Sequence, residues 1–382
     1  MHEREIKLSL PGHFDLPPLS LDGEALTVQP LPDLSLRASY HDTDDLRLAR
    51  HGVTLRHRTG EPDGPRWTLK LPRAATLAGQ VERDEIHFAG DRREIPLSAR
   101  ELVTAYTRGG ELRPVATLRT RRRRWLLGAN GTDLAELADD EVAVVEGRRV
   151  VARFRELELE AHTDDAPLAA IADQLLSAGA THAEPVPKVV RALGSRATAA
   201  PDVAVPELAP DASARELVGA AISDALVRIM ANDAAARLGF DEGIHQLRVA
   251  FRRLRSDLRT FRLLLEPEWV AHIGPMLREH GRRLGSVRDL DVLQARLRAD
   301  ADGLDHALDP LWRDLAERRR ESFEALAAAL RDPGYVALLY ELVAAVGRPP
   351  VTPAADGAAA GVGVGLARDA WKRLKRQADA LQ

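Results

Sequence analysis

The first residues able to do chemistry are Glu3, Glu5 and Lys7, in the stretch Glu3-Arg4-Glu5-Ile6-Lys7-Leu8-Ser9-Leu10. Side chains alternate faces along a strand, so Glu3, Glu5, Lys7 and Ser9 share one side and Ile6, Leu8 and Leu10 the other. Carboxylate oxygens suit hard divalent cations, and a phosphate chain wants cations beside them. The same row also reads as the solvated face of an edge strand, and this stretch alone leaves both readings open. Residues 154–160 repeat the pattern, with Glu156, Glu158 and Glu160 on one face and Leu157 and Leu159 on the other. Between these two acidic strands the rows are largely basic. Arg56 and Arg58 share a face in 53–59, and Arg66, Thr68 and Lys70 in 66–71. Arg83 and Glu85 share one in 81–88, and Arg119, Arg121 and Arg123 in 115–127, opposite Leu118 and Leu126.

These rows need strands to present them. Up to about residue 160 the chain reads as short β segments: a Pro- and Gly-rich loop over 11–33, a strand over 36–40, a helical turn after Asp42, Thr43 and Asp45, and a turn at 62–65. A short helix is expected over 97–108, and a turn at Glu136, Asp139 and Asp140 leads into a strand over 142–145. A plain solvated sheet would mix charge signs on each strand to limit repulsion between like neighbours. Strands enclosing a polar interior, with their apolar faces outward against helices, account better for acids on the first and last strands and bases between them.

Beyond this region, 163–182 reads as a short helix with Leu168, Ile171 and Leu175 or Leu176 on one face. Residues 197–211 turn to Ala, Pro and Val, with three prolines at 201, 206 and 210, which marks a linker. The rest is helical. In one helix Leu247, Phe251, Leu254, Leu258, Phe261 and Leu265 form an apolar stripe. His245, Arg248, Arg252, Arg255 and Arg259 form a second, basic stripe, and Asp257 is the only acid between 245 and 265. Like charges at this spacing repel by ~0.2–0.5 kcal/mol per pair, a cost that a polyanion would offset.

Length and charge bound the remainder. A chain of 382 residues implies two domains, and a net charge of -4 points to neither nucleic acid nor a membrane surface. With no cysteine there is no disulfide framework. The start of the chain lacks the apolar segment of a secretory signal, and no apolar run approaches the ~20 residues of a membrane span. A soluble, cytoplasmic protein is expected. Lysine is rare, occurring only at 7, 70, 188, 372 and 375, so those in the charged rows stand out as point charges that arginine's planar fork cannot replace.

Glu3-x-Glu5-x-Lys7, Tyr40-His41-Asp42-Thr43, Leu55-Arg56-x-Arg58, Thr68-Leu69-Lys70, Arg83-x-Glu85, Arg119-x-Arg121 and Glu156-x-Glu158-x-Glu160 together resemble the CYTH domain of the triphosphate tunnel metalloenzymes. The resemblance covers about 1–195. It implies an α+β fold: an eight-stranded antiparallel β tunnel with flanking helices over 1–196, a linker over 197–212, and an all-α helical bundle over 213–382. It also implies Mg²⁺ or Mn²⁺ as cofactor and hydrolysis or cyclisation of a triphosphate. Carried over by position, Glu3, Glu5, Glu156, Glu158, Glu160 and Asp140 look like metal ligands. Lys7, Arg56, Arg58, Lys70, Arg83, Arg119, Arg121 and Lys188 look like the phosphate cradle, and Glu3, Glu5, Lys7 and Lys70 like the catalytic group. Which of Glu156, Glu158 and Glu160 bind metal stays open.

Gly243-Ile244-His245-Gln246-Leu247-Arg248, with Arg252, Arg253 and Arg255 and the later Leu284-Gly285-x-x-Arg288-Asp289-Leu290-Asp291, resembles the CHAD domain, which is associated with inorganic polyphosphate. The family has two helical halves. Residues 367–381 read as the start of the second, so the sequence reads as part of a longer chain. The basic stripe His245, Arg248, Arg252, Arg255 and Arg259 is then the expected polyphosphate contact, and Arg288 with Asp289 and Asp291 an internal ion-pair network or part of that contact. The combined expectation is a metal-dependent tripolyphosphatase whose partners are tripolyphosphate and polyphosphate, with polyphosphate granules as a further location. A non-catalytic polyphosphate receptor and adenylate cyclase chemistry on ATP are the alternatives. A nucleic-acid binder would interleave its basic residues with stacking aromatics, and here Phe251 and Phe261 lie on the apolar face instead.

Overall fold

The computed structural model describes residues 2–64, 66–72, 80–163, 165–183, 186–301 and 308–379. The side chains of Glu3 and Arg83 lie outside the described set. Two compact units emerge, one of Met1–Arg100 with Gly110–Ala200, the other of Glu101–Gly109 with Pro201–Gln382.

The first unit contains β1 (His2–Ser9), β2 (Ser20–Leu21), β3 (Glu24–Ala25), β4 (Thr27–Asp42), α1 (Arg47–Arg50), β5 (Thr54–Thr59), β6 (Arg66–Pro72) and β7 (Gln80–Phe88). After α2 (Leu97–Leu102) and α3 (Thr104–Thr107) come β8 (Arg113–Ala129), β9 (Thr132–Glu146), β10 (Arg149–Ala161), α4 (Leu168–Ser177), β11 (Thr181–His182) and α5 (Lys188–Leu193). Strand order is β10-β9-β8-β4-β5-β6-β7-β1, and β1 pairs back onto β10, so eight antiparallel strands close into a barrel. β11 adds a ninth strand by pairing with β1.

Closure removes the sheet edges and creates an inside. Apolar side chains of β1, β9 and β10 (Leu8, Leu137, Leu157, Leu159) pack outward against Leu168, Ile171 and Leu175 of α4. A second apolar cluster joins Tyr40, Leu118, Val142 and Val144 to Val189 and Val190 of α5. Alternation places Leu118 with Arg122 on β8, and Val142 with Asp140 on β9. The inner face is therefore charged along one part of the strands and apolar near α5.

Two strands run longer than the sequence suggests. β4 begins at Thr27, inside the stretch read as a loop, despite Pro30 and Pro32. β5 pairs with β4 only from Arg37 to His41, so the prolines occupy a stretch bonded to β8 alone, with a register shift between Leu31 and Leu34. A proline lacking an N–H is tolerated there. Glu136, Asp139 and Asp140, expected at a turn, lie within β9, where cross-strand cations compensate their poor strand propensity.

The second unit is helical: α6 (Ala214–Arg237), α7 (Asp241–Thr260), α8 (Pro267–Asp300), α9 (Asp309–Arg331), α10 (Pro333–Gly347) and α11 (Ala359–Asp379). Ser213 and Glu216 form a reciprocal capping box that starts α6. Residues 101–109 belong to this unit although they interrupt the barrel sequence. Tyr106 is buried, its pKa raised by burial and by Asp233 of α6, and Arg108 is ion-paired with Asp202.

Candidate functional site

Residues directly opposite in an antiparallel pair share a face, so the register shows what meets inside. Lys7 stands opposite Glu158, and Glu5 opposite Glu160. Glu156 stands opposite Asp140, and Asp140 opposite Arg122. On the other wall Tyr40 faces Arg56, Arg58 faces Arg66, and Lys70 faces Glu85. These side chains line or abut a cavity of about 370 Å³, at the small end of the ~300–1,000 Å³ usual for ligand sites.

The acidic wall is tightly compensated. Lys7 Nζ lies 2.6 Å from Glu158 Oε1 and 3.3 Å from Glu5 Oε1. Lys188, the first residue of α5, brings its Nζ to 2.7 Å from Asp140 Oδ2, 2.9 Å from Glu156 Oε1 and 2.7 Å from Glu158 Oε1. Arg122 donates two 2.7 Å bonds to Asp140 and a third, of 2.6 Å, to Glu158. Burial works against the charge on Lys7 and Lys188, but the carboxylates outweigh it and hold both well above the ordinary lysine range. Burial likewise opposes ionisation of Asp140 and Glu158, and Lys188 with Arg122 and Lys7 overcomes it, so both stay charged below the usual carboxylate range.

The basic wall is looser. Lys70 Nζ pairs with Glu85 Oε2 at 2.8 Å, and despite burial Lys70 and Arg56 hold Glu85 down to about 2. Arg56 donates to the Tyr40 hydroxyl over 3.3 Å and, against burial, lowers its pKa. Burial and the neighbouring Arg56 push Arg58 down to about 10. The Nε–H groups of Arg56, Arg58 and Arg66 are buried with no hydrogen-bond partner among the described residues. Such a donor costs about 1–3 kcal/mol unless something accepts from it.

In the helical unit, α7 buries Leu247, Phe251, Leu254 and Leu258 and leaves its basic stripe partly or fully exposed. Arg248 and Arg255 lie beside Gly285 and Gly281 of α8: a Cβ at those glycines would come 3.6 Å from Arg248 Nε and 3.7 Å from Arg255 Nη1. Arg248 reaches Asp289 at 3.4 Å, while Arg252, Arg255 and Arg259 form no ion pair among the described residues. The imidazole of His245 keeps a buried Nδ1 without a partner among the described residues. The expected Arg288 network takes another form: Asp289 turns to Arg248, and Asp291 pairs at 2.6 Å with Arg319, which also holds Asp241.

The sequence matches the CYTH domain over residues 1–192 and the CHAD domain over 220–382. The chain belongs to the CYTH family. That family acts on triphosphates as hydrolases or cyclases and generally depends on a divalent metal. Two uncharacterized proteins from two strains of Mycobacterium tuberculosis are each 31% identical over 302 residues, 72% of this chain and 55% of theirs. The chain thus spans about half the length of the curated relatives it matches. A putative adenylyl cyclase from Hippeastrum, described as having a dominant triphosphatase activity, aligns at 17% identity over 49% of this chain and 94% of its own, with a TM-score of 0.32. A putative adenylate cyclase from Bacillus halodurans aligns at 18% identity over 44% and 95%, with a TM-score of 0.28. At these scores the fold rests on the strand order of this chain alone.

The CYTH tunnel brings together Lys7, Arg56, Arg58, Lys70, Asp140, Glu158, Glu160 and Lys188. Glu5 and Glu156 are buried on the same inner wall, paired with Lys7 and Lys188. Glu3 and Arg83 stand opposite one another in the β1–β7 register, their side chains outside the described set. Arg119 and Arg121 are a correction. Both are exposed, and Arg121, 68% exposed, faces Asp33 outside the barrel; Arg122 and Arg124 line the tunnel in their place. The inner row of β8 starts with an apolar residue, Leu118, so a rule equating inner with charged selects the wrong parity. Tyr40, Glu61, Arg66, Glu85, His87 and Glu136 also line the tunnel. Arg66 and Glu85 shared faces with Lys70 and Arg83 in the alternation, and that pattern could have found them.

Glu5, Asp140, Glu156, Glu158 and Glu160 form an all-oxygen, mostly buried donor set, the chemistry a hard divalent cation requires. As they stand, no three acidic or histidine side chains among the described residues are grouped as a metal centre. Lys7, Lys188 and Arg122 hold the same oxygens and would compete with such an ion.

Proposed function

We propose that the CYTH tunnel hydrolyses inorganic tripolyphosphate or a closely related triphosphate, and that the α7 stripe of the CHAD domain holds longer phosphate chains. The observation carrying this reading is the set of buried, acceptor-less Nε–H groups on Arg56, Arg58 and Arg66. Non-bridging phosphoryl oxygens are the acceptors that satisfy several guanidinium groups at once. Lys70 and Lys7 add point charges, the first on the basic wall and the second on the acidic one. A divalent cation held by the carboxylates of β1, β9 and β10 would supply further charge neutralisation at the phosphoryl oxygens. Among the described lining residues Tyr40 is the only phenol or phenyl ring, and it is hydrogen-bonded to Arg56, which leaves little for a purine to stack on and disfavours the cyclase alternative.

The test is phosphate release from tripolyphosphate, ATP, thiamine triphosphate and long polyphosphate with Mg²⁺ or Mn²⁺. Tripolyphosphate should be preferred. Glu5→Gln keeps the side-chain size and should abolish turnover while leaving the fold intact by circular dichroism, since losing one metal contact costs several kcal/mol of barrier. Turnover equal to that of the unaltered chain at limiting metal would overturn the assignment.

A further inference from the structure

The strand directions place the β5–β6 turn, Arg58, Arg66, Arg124 and Glu136 toward one end of the barrel, away from the apolar cluster built on α5. At that end an acid of the chain itself sits where an anion would bind. Glu61, in the β5–β6 turn, places Oε1 2.5 Å from Arg58 Nη2 and Oε2 2.8 Å from Arg66 Nη2. Its side chain is only 10% exposed, so this is not a loose surface pair. Arg66 is also 3.2 Å from Asp63, whose carboxylate is 77% exposed and contributes little.

Three observations make Glu61 more than a structural counter-ion. Arg58 and Arg66 both retain a buried Nε–H without an acceptor among the described residues, so one carboxylate does not exhaust what the pair can donate. Both guanidinium groups line the same cavity as the inner cradle of Arg56, Lys70 and Arg122, and so continue it toward the turn. The turn that carries Glu61 is flanked by Gly60 and Gly64, both at positive φ, and a Cβ at Gly60 would fall 2.0 Å from Ser35 O. Only glycine permits that approach, which sets Glu61 over the two arginines.

We propose that Arg58 and Arg66 form an additional phosphate subsite at the outer end of the tunnel, and that Glu61 occupies it as a built-in anion, limiting the length of phosphate chain the tunnel favours. Tripolyphosphate in the inner cradle can accept from the Nε–H groups of Arg58 and Arg66 and still leave their Nη2 contacts with Glu61 in place. A longer linear polyphosphate displaces the carboxylate with its next phosphate, exchanging one anion for another and gaining little. This rests on the tunnel being a phosphate-chain site.

The experiment uses the full chain without divalent metal, so that binding is read apart from turnover, and titrates tripolyphosphate and tetrapolyphosphate calorimetrically. The unaltered chain should bind the two with similar affinity. Glu61→Gln should leave tripolyphosphate within about twofold and tighten tetrapolyphosphate about tenfold, the scale of one charge-assisted contact. Adding Arg66→Gln to Glu61→Gln should erase that gain. The tripolyphosphate arm reports folding, and Glu61→Ala should behave as Glu61→Gln does. Equal tightening of both ligands would mean Glu61 acts only through its general field, and no tightening would mean the pair is structural. Persistence of the gain without Arg66 would place the extra phosphate elsewhere. Any of these overturns the subsite but leaves the tunnel reading intact, whereas binding of neither ligand by the unaltered chain removes both.

Discussion

The tunnel and the α7 stripe both concentrate arginine, in opposite electrostatic regimes. In the tunnel the cations are enclosed and held against carboxylates, as where Arg122 binds Asp140 and Glu158. On α7 the arginines are partly or fully exposed, and among the described residues only Arg248 and Arg253 have an acidic partner. Enclosed charges interact through a low effective dielectric and resist salt, whereas exposed ones are screened within about 8–10 Å. Under the proposed function, the tunnel would recognise a short anion by geometry, and the stripe would hold a long, repetitive polyanion by many weak contacts.

The largest break in this comparison should come at Arg122. Arg122→Gln strands Asp140 and Glu158 beside fewer cations and should cost about 3–5 kcal/mol in denaturant unfolding, with tripolyphosphate binding lost. Arg121→Gln, outside the barrel, should change stability by less than about 0.5 kcal/mol. If the two variants behaved alike, the inner parity of β8 would be wrong.

Acid should separate two titrations within the barrel unit. On the outer face His41 lies tilted against Trp67 with ring centroids 4.8 Å apart, and His57 meets the same indole edge-on at 5.3 Å. Burial lowers His41 to about 4, so the folded state resists its protonation. The stability this histidine contributes is whole above pH 6.5 and is lost as pH falls through 4; His57, also lowered by burial, adds in the same direction. Glu85, held at about 2, contributes stability that is whole above pH 4.5 and is lost as pH falls through 2. Each of His41 and Glu85 should be worth on the order of 2 kcal/mol in pH-dependent melting. His41→Phe should flatten the upper window and spare the lower, and Glu85→Gln the reverse.

The stripe should respond to salt and to number. Changing Arg248, Arg252 and Arg255 together to Gln should weaken long-polyphosphate binding about tenfold at low salt, and the loss should shrink as salt is added. Arg253→Gln, on the α6 side with Asp224, should matter little. Equal losses from the two changes would reduce the stripe to a generic basic surface. The smallest effect expected is at Lys70. Lys70→Arg keeps the charge but puts a planar fork in place of a point donor beside Glu85, and should lower kcat/KM for tripolyphosphate about fivefold.

Much of this molecule is readable from alternation alone. Period-two rows of charge opposite rows of leucine specified strands with a polar side and an apolar side, and the segregation of acids from bases pointed to a closed polar interior. The period of α7 specified both its buried leucines and its exposed arginines. Those features are local, because a strand or helix carries its two faces wherever it goes. Residues 101–109 were not assignable in this way, since their place in the helical unit depends on Tyr106 finding a buried site near Asp233.

The choice between Arg121 and Arg122 shows the limit most clearly. Arginine fills 121 through 124, so composition cannot say which pair faces inward. The Asn130-Gly131 turn starts a register in which Ala129 meets Thr132 and Gly128 meets Asp133, and continued unchanged it would set Arg121 opposite Asp140. A bulge after Gly128 shifts the pairing by one, so Leu127 meets Ala135 and Arg122 meets Asp140. One extra residue reverses the facing of everything beyond it. The sequence by itself determined that this strand would bring arginines to a carboxylate-lined interior. Which arginines was decided by barrel closure, because the bulge is retained where it lets Asp140 meet Arg122 and Lys188 inside and Asp139 meet Arg123 and Arg155 outside.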